Sequence, residues 1–159
     1  MIVRCDLQRA PADRFGALGV YKVSSTIFVP SGSRLVGEVW SVITGNGSFF
    51  GHENDPKPVV QIGEPGSSGL VELTDLLFTI NDILPGAILL EISMAGTDSG
   101  DVSLHNTHFR VGGAIDSNVN SVCGDRSPAQ CMAGFLLLHL TKSSSAYLED
   151  IWGWTADHP

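Results

Sequence analysis

The chain has 159 residues, with 9 Lys and Arg against 17 Asp and Glu, a formal net charge of −8. That balance excludes the basic stripe that displaces counterions from nucleic acid. The longest nearly apolar stretches, residues 83–90 and 133–140, fall far short of the roughly 20 residues that span a bilayer. With 43% hydrophobic residues, 16% charged and 18 glycines, the composition is that of one globular domain with many turns.

In chain order, residues 1–16 read as a poorly ordered leader and residues 17–159 as the domain. The leader has no apolar core and no small-residue cleavage site, so the chain as written carries no secretory signal. Short apolar runs follow at 17–23, 26–29, 35–43, 59–62, 70–80, 87–92, 102–111, 135–140 and 147–154. The segments between them are rich in Gly, Ser, Pro, Asn and Asp, which predicts strands joined by loops. One passage, 129–140, has a helical reading, although its apolar end also fits a buried strand.

A weak internal repeat is more informative. Leu35, Leu73, Leu104 and Leu148 are each followed two positions later by Gly37, Asp75, Asn106 or Asp150. Gly, Asn and Asp take a left-handed backbone most easily, so the third position predicts a sharp bend between two short strands. The spacings between the leucines are 38, 31 and 44 residues. Repeats of unequal length, each placing a Leu inward before its bend, stack into a parallel β-solenoid with an apolar shaft. The competing β-sandwich usually needs hairpin turn signals, and Asn46-Gly47 is the only tight candidate. The sequence therefore favours an all-β parallel solenoid.

Several motifs carry no chemistry. Residues 45–51 imitate a dinucleotide-binding loop, but the last glycine comes one residue late and no helical pattern follows. Neither a nucleophile elbow nor a phosphate loop is present. His105 and His108 point to opposite faces of a strand, which argues against a two-histidine metal site, and no metal or cofactor is expected. His139, between two leucines, reads as a surface or internally satisfied residue. Glu38, Glu91 and Glu149 are candidate acids by residue type alone, and none has a second carboxylate at a defining distance in sequence. Cys123 and Cys131, with Pro128 between them, fit either a loop disulfide or two buried thiols, and Cys5 is left over. The Asn46-Gly47-Ser48 sequon hints at secretion.

Three segments together carry a resemblance: YKVSSTIFVPSGSRLVGE at 21–38, VELTD at 71–75 and YLEDIWGWTADH at 147–158. They are similar to the fungal exo-β-1,3-glucanases of glycoside hydrolase family 55, members of the pectate-lyase-like superfamily. The likeness runs from about residue 17 to the end and includes residues 110–113 and the paired Cys123 and Cys131. It implies a right-handed parallel β-helix, here a truncated early-to-middle part of the second of two such helices. It also implies an extracellular protein and an inverting exo-hydrolase acting on β-1,3-glucan, with two groups about 6.5 to 9.5 Å apart flanking the scissile bond.

Trp152 and Trp154 share one face of a strand, and Asp157 and His158 follow where it gives way to a loop. In the family this motif lines the glucan pocket, so the resemblance implies that Trp154, Asp157, His158 and, more weakly, Trp152 touch substrate. The family's catalytic acid lies on coils beyond this motif, which here is followed by Pro159 alone. The expectation is a chain that lacks β-helix coils of its parent protein and is hydrolytically inactive by itself. Two other functions compete with it. A polysaccharide lyase needs clustered carboxylates for Ca²⁺ and a basic residue, and Asp75, Asp101 and Arg110 are scattered. A non-catalytic carbohydrate-binding or structural solenoid needs no catalytic acid.

Overall fold

The computed structural model describes residues 13–16, 19–113, 117–123 and 131–155. The fold is all-β and its sheets are parallel. Twelve strands are present among the described residues: β1 (Asp13–Gly16), β2 (Val20–Val23), β3 (Ile27–Val29), β4 (Ser33–Gly45), β5 (Lys57–Ile62), β6 (Val71–Ile80), β7 (Ala87–Ile92), β8 (Val102–His105), β9 (His108–Val111), β10 (Leu136–Leu140), β11 (Tyr147–Glu149) and β12 (Trp152–Thr155). Eight of them build one sheet ordered β1-β4-β6-β8-β11, with β2 also on β4, β9 also on β6 and β12 on β9; the other sheet runs β10-β7-β5-β3. From β2 onward the chain visits the two sheets in turn, and each strand pairs in parallel with the one laid down on the next visit. A sandwich of antiparallel hairpins is thereby excluded.

The leucine repeat is the register of the larger sheet. Leu35 pairs with Leu73, Leu73 with Leu104 and Leu104 with Leu148. Leu73 and Leu104 are fully buried. A second inward column is aromatic: Phe78 and Phe109 stack with centroids 5.7 Å apart and planes at 20°. The smaller sheet contributes Val29, Ile62 and Ile92, in register and fully buried. Alternation along each strand therefore fills one interior from both sheets.

The bends behave as the residue types dictate, with one exception. Asp75, Asn106 and Asp150 have φ of 57°, 46° and 52°, the left-handed conformation expected of them. Gly37 does not bend this way. A Cβ there would collide with the carbonyl oxygen of Asp75 on the next rung, so close approach is what demands glycine. The left-handed residues of this rung are instead Val39 and Trp40, at φ 51° and 60°, and the register shifts between Val36 and Ser41. Val36 faces Thr74 and Ser41 faces Leu76, so four residues stand opposite Asp75 alone.

Two local expectations are corrected. The α-helical segment among the described residues is α1 (Val119–Cys123), beside one 3-10 turn at Ser48–Phe50, and the apolar pattern announces neither. Within 129–140, Leu136–Leu140 is a strand, and it is half-exposed because it forms the edge of the smaller sheet. No helix among the described residues is long and apolar enough to cross a membrane.

Candidate functional site

The outward face of β12 is built by alternation. Trp152 and Trp154 lie on the same side of the strand and are 43% and 44% exposed, so neither belongs to the core. Between them Gly153 occupies the inward column, where an added Cβ would lie 2.8 Å from Leu137 Cδ1. Parallel pairing sets Trp152 beside His108 and Trp154 beside Arg110. Each indole is thus backed by the residue it faces across the ladder. His108 stacks on Trp152 with centroids 4.6 Å apart and planes at 20°. The Arg110 guanidinium carbon lies 4.8 Å from the Trp154 ring centroid, a cation–π contact.

Both backing residues are themselves held. Arg110 Nε donates to the Gly112 carbonyl at 3.0 Å and Nη2 to the Gly113 carbonyl. Gly113 has φ 63°, the left-handed conformation that favours glycine, and a Cβ on it would lie 2.7 Å from the movable end of Arg110, at Nη2. His108 Nε2 lies 3.0 Å from Asn106 Oδ1, and Asn106 Nδ2 donates to Asp75 Oδ1 at 2.6 Å. Two bend residues of successive rungs thereby orient the imidazole. Burial pushes the His108 pKa below its ordinary value, opposed by the charges of Asp150 and Asp75. Trp40, on the left-handed bend of β4, meets the same imidazole at right angles, 5.0 Å between centroids. The chain contains three tryptophans, and all three lie on this one face.

Asp157 and His158 lie outside the described residues. Glu149 and Glu38 are exposed. Glu149 accepts from Tyr147 Oη at 3.2 Å and stands 3.3 Å from His105 Nδ1, away from the His108 side of the bend. Glu91 is occupied on the smaller sheet, 2.9 Å from His139 Nδ1 and accepting from Ser93 Oγ at 3.2 Å. Cys123 and Cys131 are brought together, their Cα atoms 5.6 Å apart. Among the described residues no group of three or more His, Cys, Asp or Glu is placed to hold a metal ion.

Sequence reasoning missed His108, Arg110 and Trp40 as parts of this face. The first two had a signal, since the 44-residue step from Leu104 to Leu148 also carries His108 onto Trp152 and Arg110 onto Trp154. Trp40 had none, because the register shift moves it off the repeat.

Fold and site together define an all-β protein of parallel sheets with a tryptophan platform on one outer face. No family model matches the chain. Its relatives are more specific: it is 46% identical over 134 residues to a Trichoderma harzianum protein named glucan endo-1,3-beta-glucosidase BGN13.1, covering 84% of this chain and 18% of that protein. It is 42% identical over 146 residues to a Cochliobolus carbonum glucan 1,3-beta-glucosidase, covering 88% of this chain and 18% of the relative. A Penicillium expansum protein named non-secreted LysM effector LysM15 is 42% identical over 144 residues, covering 88% of this chain and 10% of the relative. The chain is therefore related to proteins named as β-1,3-glucan glucosidases, and it spans 10% to 18% of the length of these three.

Proposed function

We propose that this chain is a glycan-contacting portion of a β-1,3-glucan-active hydrolase, folded as part of a right-handed parallel β-helix. One observation carries the reading: two half-exposed indoles on one strand face, each braced from behind by a residue that is itself clamped. Braced aromatic faces lose little freedom when a ligand settles on them, and the C–H face of a pyranose is apolar enough to stack there. Trp154 and Trp152 form the platform, and Asp157 and His158, next along the chain, bond sugar hydroxyls. The relatives' names supply the glucan, and they include both an endo-acting enzyme and one named without that term. The exo mode is carried by the resemblance of the sequence motifs.

The site joins aromatic, imidazole and guanidinium groups, and the carboxylate of Asp75 is engaged by Asn106. Such a set binds and orients sugar. Hydrolysis then needs a carboxylic acid from outside this set, and residues 17–159, with β1 joined to them through β4, act as one partial domain that is inactive by itself. A disulfide between Cys123 and Cys131 suits an extracellular setting, as the resemblance implies, although one relative's name includes the word non-secreted.

Calorimetric titration with laminarin tests the reading. Binding without glucose release is expected, and Trp154→Ala should weaken it by about tenfold or more. Binding unchanged by Trp154→Ala would remove the platform from the proposal. Glucose release by the purified chain would overturn its inactivity.

A further inference from the structure

The imidazole of His108 is 3% exposed, and its two nitrogens have unequal surroundings. Asn106 spends its Nδ2 on Asp75, so its Oδ1 faces His108 Nε2 as an acceptor. That assigns the proton of the neutral ring to Nε2 and leaves Nδ1 as a bare lone pair. Nδ1 is buried with no hydrogen-bond partner. An orphaned buried acceptor is costly and rare in native proteins. Trp40 packs on the same ring from a segment with its own cost, since it and Val39 are consecutive non-glycine residues in the left-handed region. That segment is turned to solvent, Val39 82% exposed and Trp40 47%, with Ser41 Oγ donating to the Glu38 carbonyl across it at 3.4 Å. If this corner of the backbone swings outward, Trp40 leaves the imidazole and the two left-handed residues are released with it.

We propose that Trp40 is a lid over His108, and that when it lifts, Nδ1 accepts a hydrogen bond from a hydroxyl of a carbohydrate that enters the space Trp40 vacates, beside the His108–Trp152 stack. This rests on the reading of the tryptophan face as a glycan platform. Because Nε2 is committed to Asn106, the ring can only accept at Nδ1. The site therefore selects a free hydroxyl and rejects an ether oxygen at that position. Protonation of Nδ1 abolishes the acceptor, so binding weakens in acid. The carboxylates bearing on the ring are Asp150, on the bend before β12, and Asp75, on the bend of β6.

The test uses the full chain labelled with 5-fluorotryptophan, whose three fluorine resonances are assigned by single Trp→Phe variants. On titration with laminaripentaose the Trp40 resonance should gain a solvent isotope shift. His108→Phe keeps a ring in the stack and removes the acceptor; it should weaken binding about fivefold to tenfold and leave Trp40 unmoved. Trp40→Ala should bind about twofold or more tighter, because no closed population remains to be opened. A Trp40 resonance that ignores bound oligosaccharide, or wild-type affinity in His108→Phe, overturns the lid.

A second arm needs no sugar. Diethyl pyrocarbonate acylates a neutral imidazole at its bare nitrogen, and peptide mapping reads His108 alone. Trp40→Ala should raise its modification rate by about tenfold or more over wild type, as a permanently open site requires. An unchanged rate overturns the lid even if His108→Phe fails to fold. If wild type binds no oligosaccharide, the glycan reading falls, the hydroxyl-acceptor role falls with it, and this arm alone decides the lid.

Discussion

Leu104 and Leu148 stand in one column, one rung apart, yet Leu104 is fully buried and Leu148 is 42% exposed. The aromatic column beside it changes in the same direction, from a buried Phe109 to Gly153. The middle rungs are held by their interior. The last rung among the described residues, β11 and β12, is exposed throughout both strands, and its side-chain support comes largely from outside: His108 against Trp152 and Arg110 against Trp154. The same repeat unit is thus stabilised by different forces according to its place in the stack, as expected where each unit touches only its neighbours.

The comparison breaks most visibly in the middle. Phe78→Ala empties a fully buried ring position and should cost about 3 to 5 kcal/mol in chemical denaturation; a loss under about 1 kcal/mol would mean the interior is not what holds the central rungs. Joint replacement of Cys123 and Cys131 by Ala removes a short closed loop and should cost on the order of 2 to 3 kcal/mol relative to the oxidised protein. Arg110→Met keeps an unbranched side chain under Trp154 and loses the charge, so about 0.5 to 1 kcal/mol should go, with amide exchange accelerated in β12. Leu148→Ala should cost about 1 kcal/mol or less despite sharing its column with Leu104, since 42% of Leu148 stays in water.

The smallest effect is a pH dependence. His108 is held below its ordinary value by burial, so the fold bears no penalty above the unfolded value of about 6.5. As pH falls below that, the unfolded chain takes the proton first and stability declines. Denaturation midpoints measured downward from pH 6.5 should drop more steeply in wild type than in His108→Phe, and parallel curves would show that the ring is not protonation-sensitive.

Much of the architecture was legible. The leucine spacings of 38, 31 and 44 are the pairing register, because a column of identical inward residues can form only if successive strands align on it. The bends at Asp75, Asn106 and Asp150 followed from backbone preference alone. What escaped depends on tertiary contact. Gly37 is glycine because of a carbonyl on the neighbouring rung, which no local preference records. The five residues of α1, Val-Asn-Ser-Val-Cys, have poor helical propensity, and with Val119 and Cys123 fully buried the helix is imposed by packing. Trp152 and Trp154 were singled out as a pair sharing one strand face, but the histidine and arginine behind them became visible only once pairing was known.

The corner at residues 37–40 shows how such a chain tolerates changes of length. Four residues there face one on the adjacent rung, yet Val36 and Ser41 resume pairing on either side with every inward residue still inward. Within a strand, a single inserted residue would turn all that follows inside out. At a corner, added residues are absorbed as an outward blister, and here that blister carries an aromatic side chain to the face that bears the other two tryptophans. Novelty can therefore enter this scaffold by lengthening its corners, leaving the ladder beneath undisturbed.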